Sequence, residues 1–181
     1  MSASDVPVPD HPGNGAGIPG ADVDVPADDV GGVEVPNTEA LDAIWRGDEY
    51  AGHLGAEVEA WGGGWSRIGL TVTDRHRNFA GLLHGGVGFG LGDVAFAVAS
   101  NSWGRLAVAL SVDVQFLASA APGARLVATG RERHRTKRTG AYLIEVTDDG
   151  ALVASLHALV HRTDRWHLGE DAWSGDWRAT H

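Results

Sequence analysis

The run from Asn78 to Asp93 holds the groups needed to attack a carbonyl: Asn78, His84, Gly85, Gly86 and Asp93. His84-Gly85-Gly86 stands where a loop enters an apolar segment, and Asp93 interrupts that segment eight residues past Gly85. Free N–H groups at a helix start favour developing negative charge. A carboxylate among apolar neighbours is a candidate base or nucleophile. The chemistry these parts suit is acyl transfer to water, with a thioester as the acyl donor.

Each residue also has a plainer reading. Asp93 could be a hydrogen-bonded group at a dimer contact, retained against the cost of burying charge. Gly85 and Gly86 could simply make a tight turn, although glycine also lets a substrate oxygen approach the main chain, so that the Gly85 N–H serves as an oxyanion donor. His84 could be an ordinary polar residue near a helix start, and Asn78 a turn former. Asn78 could equally hold the thioester or the attacking water. Gly85 and Asp93 on one helix would lie roughly 12 Å apart, too far for both to meet one carbonyl. Two antiparallel copies would bring them together, so the chemistry predicts a dimer with shared sites.

The basic run Arg131–Thr139 is the densest in an acidic chain of formal charge −10. It reads either as a solvated hairpin face or as a landing site for phosphates such as those of coenzyme A. Phosphate-loop, nucleophile-elbow and HExxH patterns are absent, and the scattered histidines argue against a metal. Nothing in the sequence requires a cofactor.

The elements that must position these residues follow from periodicity. Residues 1–36 carry six of the seven prolines and seven acidic residues, with no Lys or Arg. They are expected to stay disordered. A short amphipathic helix starts at Thr38 and ends near Gly47. The runs Leu54–Trp61 and Trp65–Thr73 flank a glycine turn as a hairpin. A long apolar helix is expected from Gly86 to about Trp103, then four strands: Leu106–Leu117, Ala124–Arg135, Gly140–Asp148 and Ala151–Arg162. Pro122-Gly123, Thr139-Gly140 and Asp149-Gly150 are expected as turns.

The fold class is therefore α+β, one long central helix wrapped by a six-stranded antiparallel sheet. The domain occupies 37–163, and a Trp-rich extension at 164–181 packs on the body or on a neighbouring chain. The acidic balance argues against nucleic acid. With no signal peptide, no apolar span and no cysteine, the expected setting is the cytoplasm, with no membrane partner.

The stretch Leu54–Arg162 resembles the phenylacetate-degradation (PaaI) type of hotdog-fold acyl-CoA thioesterase. The resemblance rests on Asn78, Gly81, His84-Gly85-Gly86, Leu91–Phe96 and Asn101-Ser102, then on Val112–Leu117, Arg133–Tyr142 and His161-Arg162. It implies a hydrolase of aryl-acetyl (for example hydroxyphenylacetyl) or medium acyl-CoA. Asp93 would be base or nucleophile, Gly85 N–H the oxyanion donor, and Asn78 and His84 would complete the catalytic group. Gly86, Arg135, Lys137, Arg138 and Thr139 would bind substrate. It also implies a homotetramer, a dimer of dimers with sites between subunits. Leu83 departs from the cysteine often found before the His. A catalytically silent acyl-CoA binder is the alternative.

Overall fold

The computed structural model describes residues 33–181. The acidic segment expected to stay apart from the core thus lies outside the described residues as far as residue 32. The body begins before residue 37, because Val35 is buried in the core and its carbonyl accepts from Thr38 Oγ1 at 2.7 Å.

Helix α1 (Thr38–Arg46) buries Leu41 and Trp45 and ends at Gly47. Its N-cap is Asn37, in the left-handed region at φ 60°. A second short helix, α2 (Glu49–Leu54), precedes the first strand. The sequence reading missed it and began the strand at Leu54. The strands are β1 (Ala56–Gly62), β2 (Trp65–Thr71), β3 (Arg105–Phe116), β4 (Arg125–Arg135), β5 (Thr139–Asp148) and β6 (Ala151–Trp166), with α3 (Gly85–Asn101) between β2 and β3. They form one antiparallel sheet in the order β1-β2-β4-β5-β6-β3, which leaves β1 and β3 at the edges. Asp149 and Gly150 join β5 to β6, both at positive φ (46° and 81°), the geometry of a tight two-residue hairpin. Thr139-Gly140 is strand and not turn. The chain reverses at Thr136–Arg138, where the Thr136 N–H bonds back to the Thr139 carbonyl at 2.8 Å.

α3 is a poor helix by propensity. Five of its residues are glycine, each costing up to about 1 kcal/mol against alanine. What holds it is burial, since all but Gly85, Gly86, Phe89, Asp93 and Ala97 are buried. The small residues let the sheet come close. A Cβ at Gly92 would meet Leu156 at 2.9 Å, and one at Gly130 of β4 would meet the Ala95 carbonyl oxygen at 3.1 Å. Ser66 of β2, fully buried, donates its hydroxyl to that same carbonyl at 2.6 Å. At the far end of the helix, Asn101 Oδ1 accepts from Ala107 N at 2.9 Å, and Ser102 Oγ accepts from Gly64 N at 2.7 Å.

β6 runs four residues past its expected end, and the extension packs on the body of its own chain. Trp173 is buried against Trp166, ring centroids 5.4 Å apart, and donates Nε1–H to the His167 carbonyl at 2.8 Å. A last helix, α4 (Gly175–Thr180), follows, and Trp177 Nε1–H bonds the Trp103 carbonyl at 3.1 Å.

Ser66→Ala removes the bond that fixes helix to sheet without opening a large void. The expected cost is about 1–2 kcal/mol, a fall in melting temperature of roughly 2–8 °C for a domain of this size. An unchanged melting temperature would show that the contact is only geometric.

Candidate active site

The loop before α3 is built to deliver His84 at a fixed angle. Asn78 Oδ1 accepts from the N–H groups of Ala80 (2.8 Å) and Leu82 (3.2 Å), closing a side-chain turn. The Asn78 N–H bonds the Leu82 carbonyl at 2.8 Å, and the His84 N–H bonds the His76 carbonyl at 2.8 Å. His84 then caps α3, its Nδ1 accepting from Gly86 N–H at 2.9 Å, which requires that nitrogen to be unprotonated. The Gly86 N–H is therefore taken. The Gly85 N–H, at the first helical position, has no intrahelical partner and no other acceptor among the described residues. The half-exposed ring of Phe116, at the end of β3, lies 3.3 Å from where a Gly85 side chain would begin.

Asp93 stands two turns along, half-buried on the one face of α3 that the chain leaves open. Burial holds its pKa above the ordinary carboxylate value of 3.8, and the Asp48 carboxylate adds to the effect. Asp48 belongs to α2, the helix absent from the sequence reading. It caps that helix by accepting from Ala51 N at 2.9 Å. Tyr50 and Leu54 of α2 lie over Gly90, so α2 borders the face that bears Asp93. A signal was present: Asp48 before Glu49 marks a start and Gly55, at φ 79°, a stop. Six residues with an internal glycine hid it.

The structure brings Asn78, His84 and Gly85 together at the start of α3. It leaves Asp93 along the same helix, at the distance helical rise imposes. The basic run lies elsewhere, beyond the helix's C-terminal end. There Arg135 is not a free phosphate ligand in the isolated chain: its Nε–H bonds Glu132 at 3.0 Å, and its guanidinium lies 4.2 Å over the Trp103 ring. Glu132 also accepts from Trp103 Nε1 (2.9 Å) and Tyr142 Oη (2.8 Å). Lys137, Arg138 and Thr139 are exposed at and beside the β4–β5 turn. Among the described residues, no cluster of three His, Asp or Glu side chains could hold a metal, and no helix is long and apolar enough to cross a membrane.

A long helix with a capped, N–H-bearing start, laid across a six-stranded antiparallel sheet, is the hotdog fold. Comparison with known proteins agrees. The Thioesterase superfamily profile matches residues 80–155. The acyl-coenzyme A thioesterase PaaI of Escherichia coli is 38% identical over 129 residues, 71% of this chain and 92% of that protein. Its solved structure superposes with a TM-score of 0.65 at 36% identity, covering 67% of this chain and 88% of that one. A Streptococcus mutans protein solved with bound acetyl-CoA is 28% identical, with a TM-score of 0.57, covering 60% and 88% of the two chains. The chain belongs to the thioesterase superfamily, as an enzyme similar to PaaI.

The raised pKa of Asp93 gives a stability test with a definite sign. The folded state binds this proton more tightly than the unfolded chain, so its ionisation destabilises the fold as pH rises from about 4. Asp93→Asn lacks that penalty. Its melting temperature at pH 7 should equal or exceed the wild type's, and the difference should close below the ordinary carboxylate range. A loss of several degrees at pH 7 would instead make Asp93 a structural anchor.

Proposed function

We propose that the protein hydrolyses an acyl-CoA to free acid and coenzyme A, with an aryl-acetyl group such as hydroxyphenylacetyl, or a medium-length chain, as the acyl part. One observation carries this reading. An uncommitted N–H, that of Gly85, and a half-buried carboxylate with raised pKa, that of Asp93, share the open face of one helix. The names of the relatives supply the substrate class, because the E. coli protein is an acyl-CoA thioesterase and the S. mutans structure contains acetyl-CoA.

In this scheme Asp93 takes a proton from water as the C–O bond forms at the thioester carbon. The Gly85 N–H receives the charge on the oxygen, and collapse expels the thiolate of coenzyme A. With Asp93 as nucleophile the same bonds are exchanged through an anhydride that water then cleaves. A raised pKa makes the carboxylate the stronger base in either role. His84 keeps Gly85 aimed through the Gly86 cap, and its Nε2 is left to touch the ligand. Asn78 has its oxygen committed to the loop, so its Nδ2 is the group that orients substrate or water. Gly86 lets the thioester pass close to the helix start. Lys137, Arg138 and Thr139, with Arg135 behind them, receive the phosphates. No cofactor is needed, and the assigned setting is the cytoplasm.

The reading also requires a second copy. The open face of α3 and the edge of β3, unpaired among the described residues and with Val108, Leu110 and Phe116 exposed, suit an antiparallel partner. A long apolar edge strand is otherwise a hazard. Gly85 of one chain then meets Asp93 of the other, and two such dimers make the tetramer.

Asp93→Asn should lower turnover at least roughly a hundred-fold, with affinity for an uncleavable analogue held within several-fold. Thiol release over a panel of acyl-CoAs is the measurement, and full retained activity would favour the silent binder. The sharing of sites has its own test. Gly85→Val would drive a branched side chain against Phe116 and block the oxyanion position. A heterodimer of Asp93→Asn and Gly85→Val chains contains one site with both defects and one with neither. Activity should return to as much as about half of wild type. No recovery from a folded heterodimer would place the site within one chain.

A further inference from the structure

Helix α2 brings more than Asp48 to the open face of α3. Its Tyr50 is 52% exposed, yet the tip of the ring is pinned against the longer helix. A Cβ at Gly90 would collide with Tyr50 Oη and stand 3.3 Å from Tyr50 Cζ and from Leu54 Cδ2. The missing side chain at Gly90 is what lets the phenol lie on the helix backbone. One edge of the ring is fixed, and the rest of it is left without a neighbour that would bury it.

The direction of the helical side chains decides what this ring can meet. Each Cα–Cβ bond of an α-helix tilts toward the N-terminus, so a residue covers the turn before its own Cα. Asp93 therefore reaches back over Phe89 and Gly90, and away from Ala97. Phe89 is half-buried on the same open face. A carbonyl carbon must come within about 3–3.5 Å of the group that attacks it. The acyl group attached to that carbon then starts beside two rings, Phe89 on the helix and Tyr50 on its flank.

We propose that Tyr50 determines specificity, forming with Phe89 a slot for a planar aryl acyl group beside Asp93, and that Gly90 positions it. Aromatic rings attract one another edge-to-face or offset, at centroid separations of about 4.5–7 Å, beyond what contact area alone supplies. A saturated chain gains only the area. A ring already pinned at its tip also loses little freedom when a ligand arrives. The family profile begins at residue 80, so α2 and Tyr50 stand ahead of its matched stretch. The assignment rests on the proposed hydrolysis for the chemistry at Asp93, and adds to it the acyl class that the site takes.

The test compares phenylacetyl-CoA with cyclohexylacetyl-CoA, its saturated counterpart, and with octanoyl-CoA. Wild type should favour the aryl substrate by about three- to tenfold in kcat/KM. Tyr50→Leu should lower that ratio at least about threefold, while Tyr50→Phe, which keeps the ring, should stay within about twofold of wild type. Gly90→Ala favours the helix but displaces the ring, so it should lower the ratio in the same direction. In the Tyr50→Leu background it should change the ratio no further, because the ring it acts through is gone. A Tyr50→Leu protein that melts lower but selects like wild type would show that the ring only packs α2 on α3, and the proposal fails. Equal losses in Tyr50→Leu and Tyr50→Phe would move the selection to the hydroxyl and overturn the slot. Calorimetric affinities for uncleavable thioether analogues of the three acyl-CoAs keep the two readings apart. An aryl preference in binding that Tyr50→Leu abolishes, without turnover of any thioester, sinks the hydrolytic reading and leaves the slot standing. Turnover with no aryl preference does the reverse.

Discussion

Everything in this molecule depends on how closely a glycine-rich helix can lie on a sheet. α3 would not persist alone, since five glycines in seventeen residues outweigh what alanine and valine contribute. The sheet supplies the difference by burying twelve of its residues, and the glycines are what allow it. Leu156 fits against Gly92, the Ala95 carbonyl approaches Gly130, and Ser66 bonds that carbonyl directly. A helix gripped on three sides has one face left. That face carries Asp93 and begins near Gly85, whose N–H has no acceptor among the described residues. The packing that makes the helix possible is the packing that leaves Gly85 and Asp93 accessible.

A carboxylate on that face costs the fold stability in its charged form. Burial raises the Asp93 pKa and Asp48 raises it further. Each makes the group more basic and its charged form more costly. α2 is central to this balance, because it covers Gly90 with Tyr50 and Leu54 while bringing Asp48 near. A helix of only six residues thus adjusts the chemistry of a much longer one.

Much of this was legible in the residues. The punctuation at His84-Gly85-Gly86 marks the start of the central helix within a residue, because capping and glycine turns are local physics. The apolar alternation Leu152, Ala154, Leu156, Ala158 and Val160 in β6 marks its buried face from Ala154 onward, while Leu152 at the turn end is exposed. What could not be read was tertiary. Arg135 looked like a free cation in a basic run, whereas Glu132 and Trp103, one of them 32 residues away, occupy it. Arg162 ended the last strand by pattern, yet β6 continues to Trp166 because β3 offers Arg105 as its partner there. The Trp-rich extension follows no helix or strand period because its rings meet Trp103 and Gly104 of the body as well as one another.

Those rings give the protein an optical property. Trp103, Trp166, Trp173 and Trp177 are four of its seven indoles, and all lie where the C-terminal segment meets the body. Two of them stack with the imidazole of His181, which burial holds neutral to lower pH than a free histidine. Near-ultraviolet circular dichroism and indole emission therefore carry a large contribution from whether this one segment is docked, added to that of Trp45, Trp61 and Trp65 in the body. A spectroscopist following the unfolding of this chain by fluorescence sees two events in one signal, the departure of the C-terminal segment and the opening of the core around Trp45.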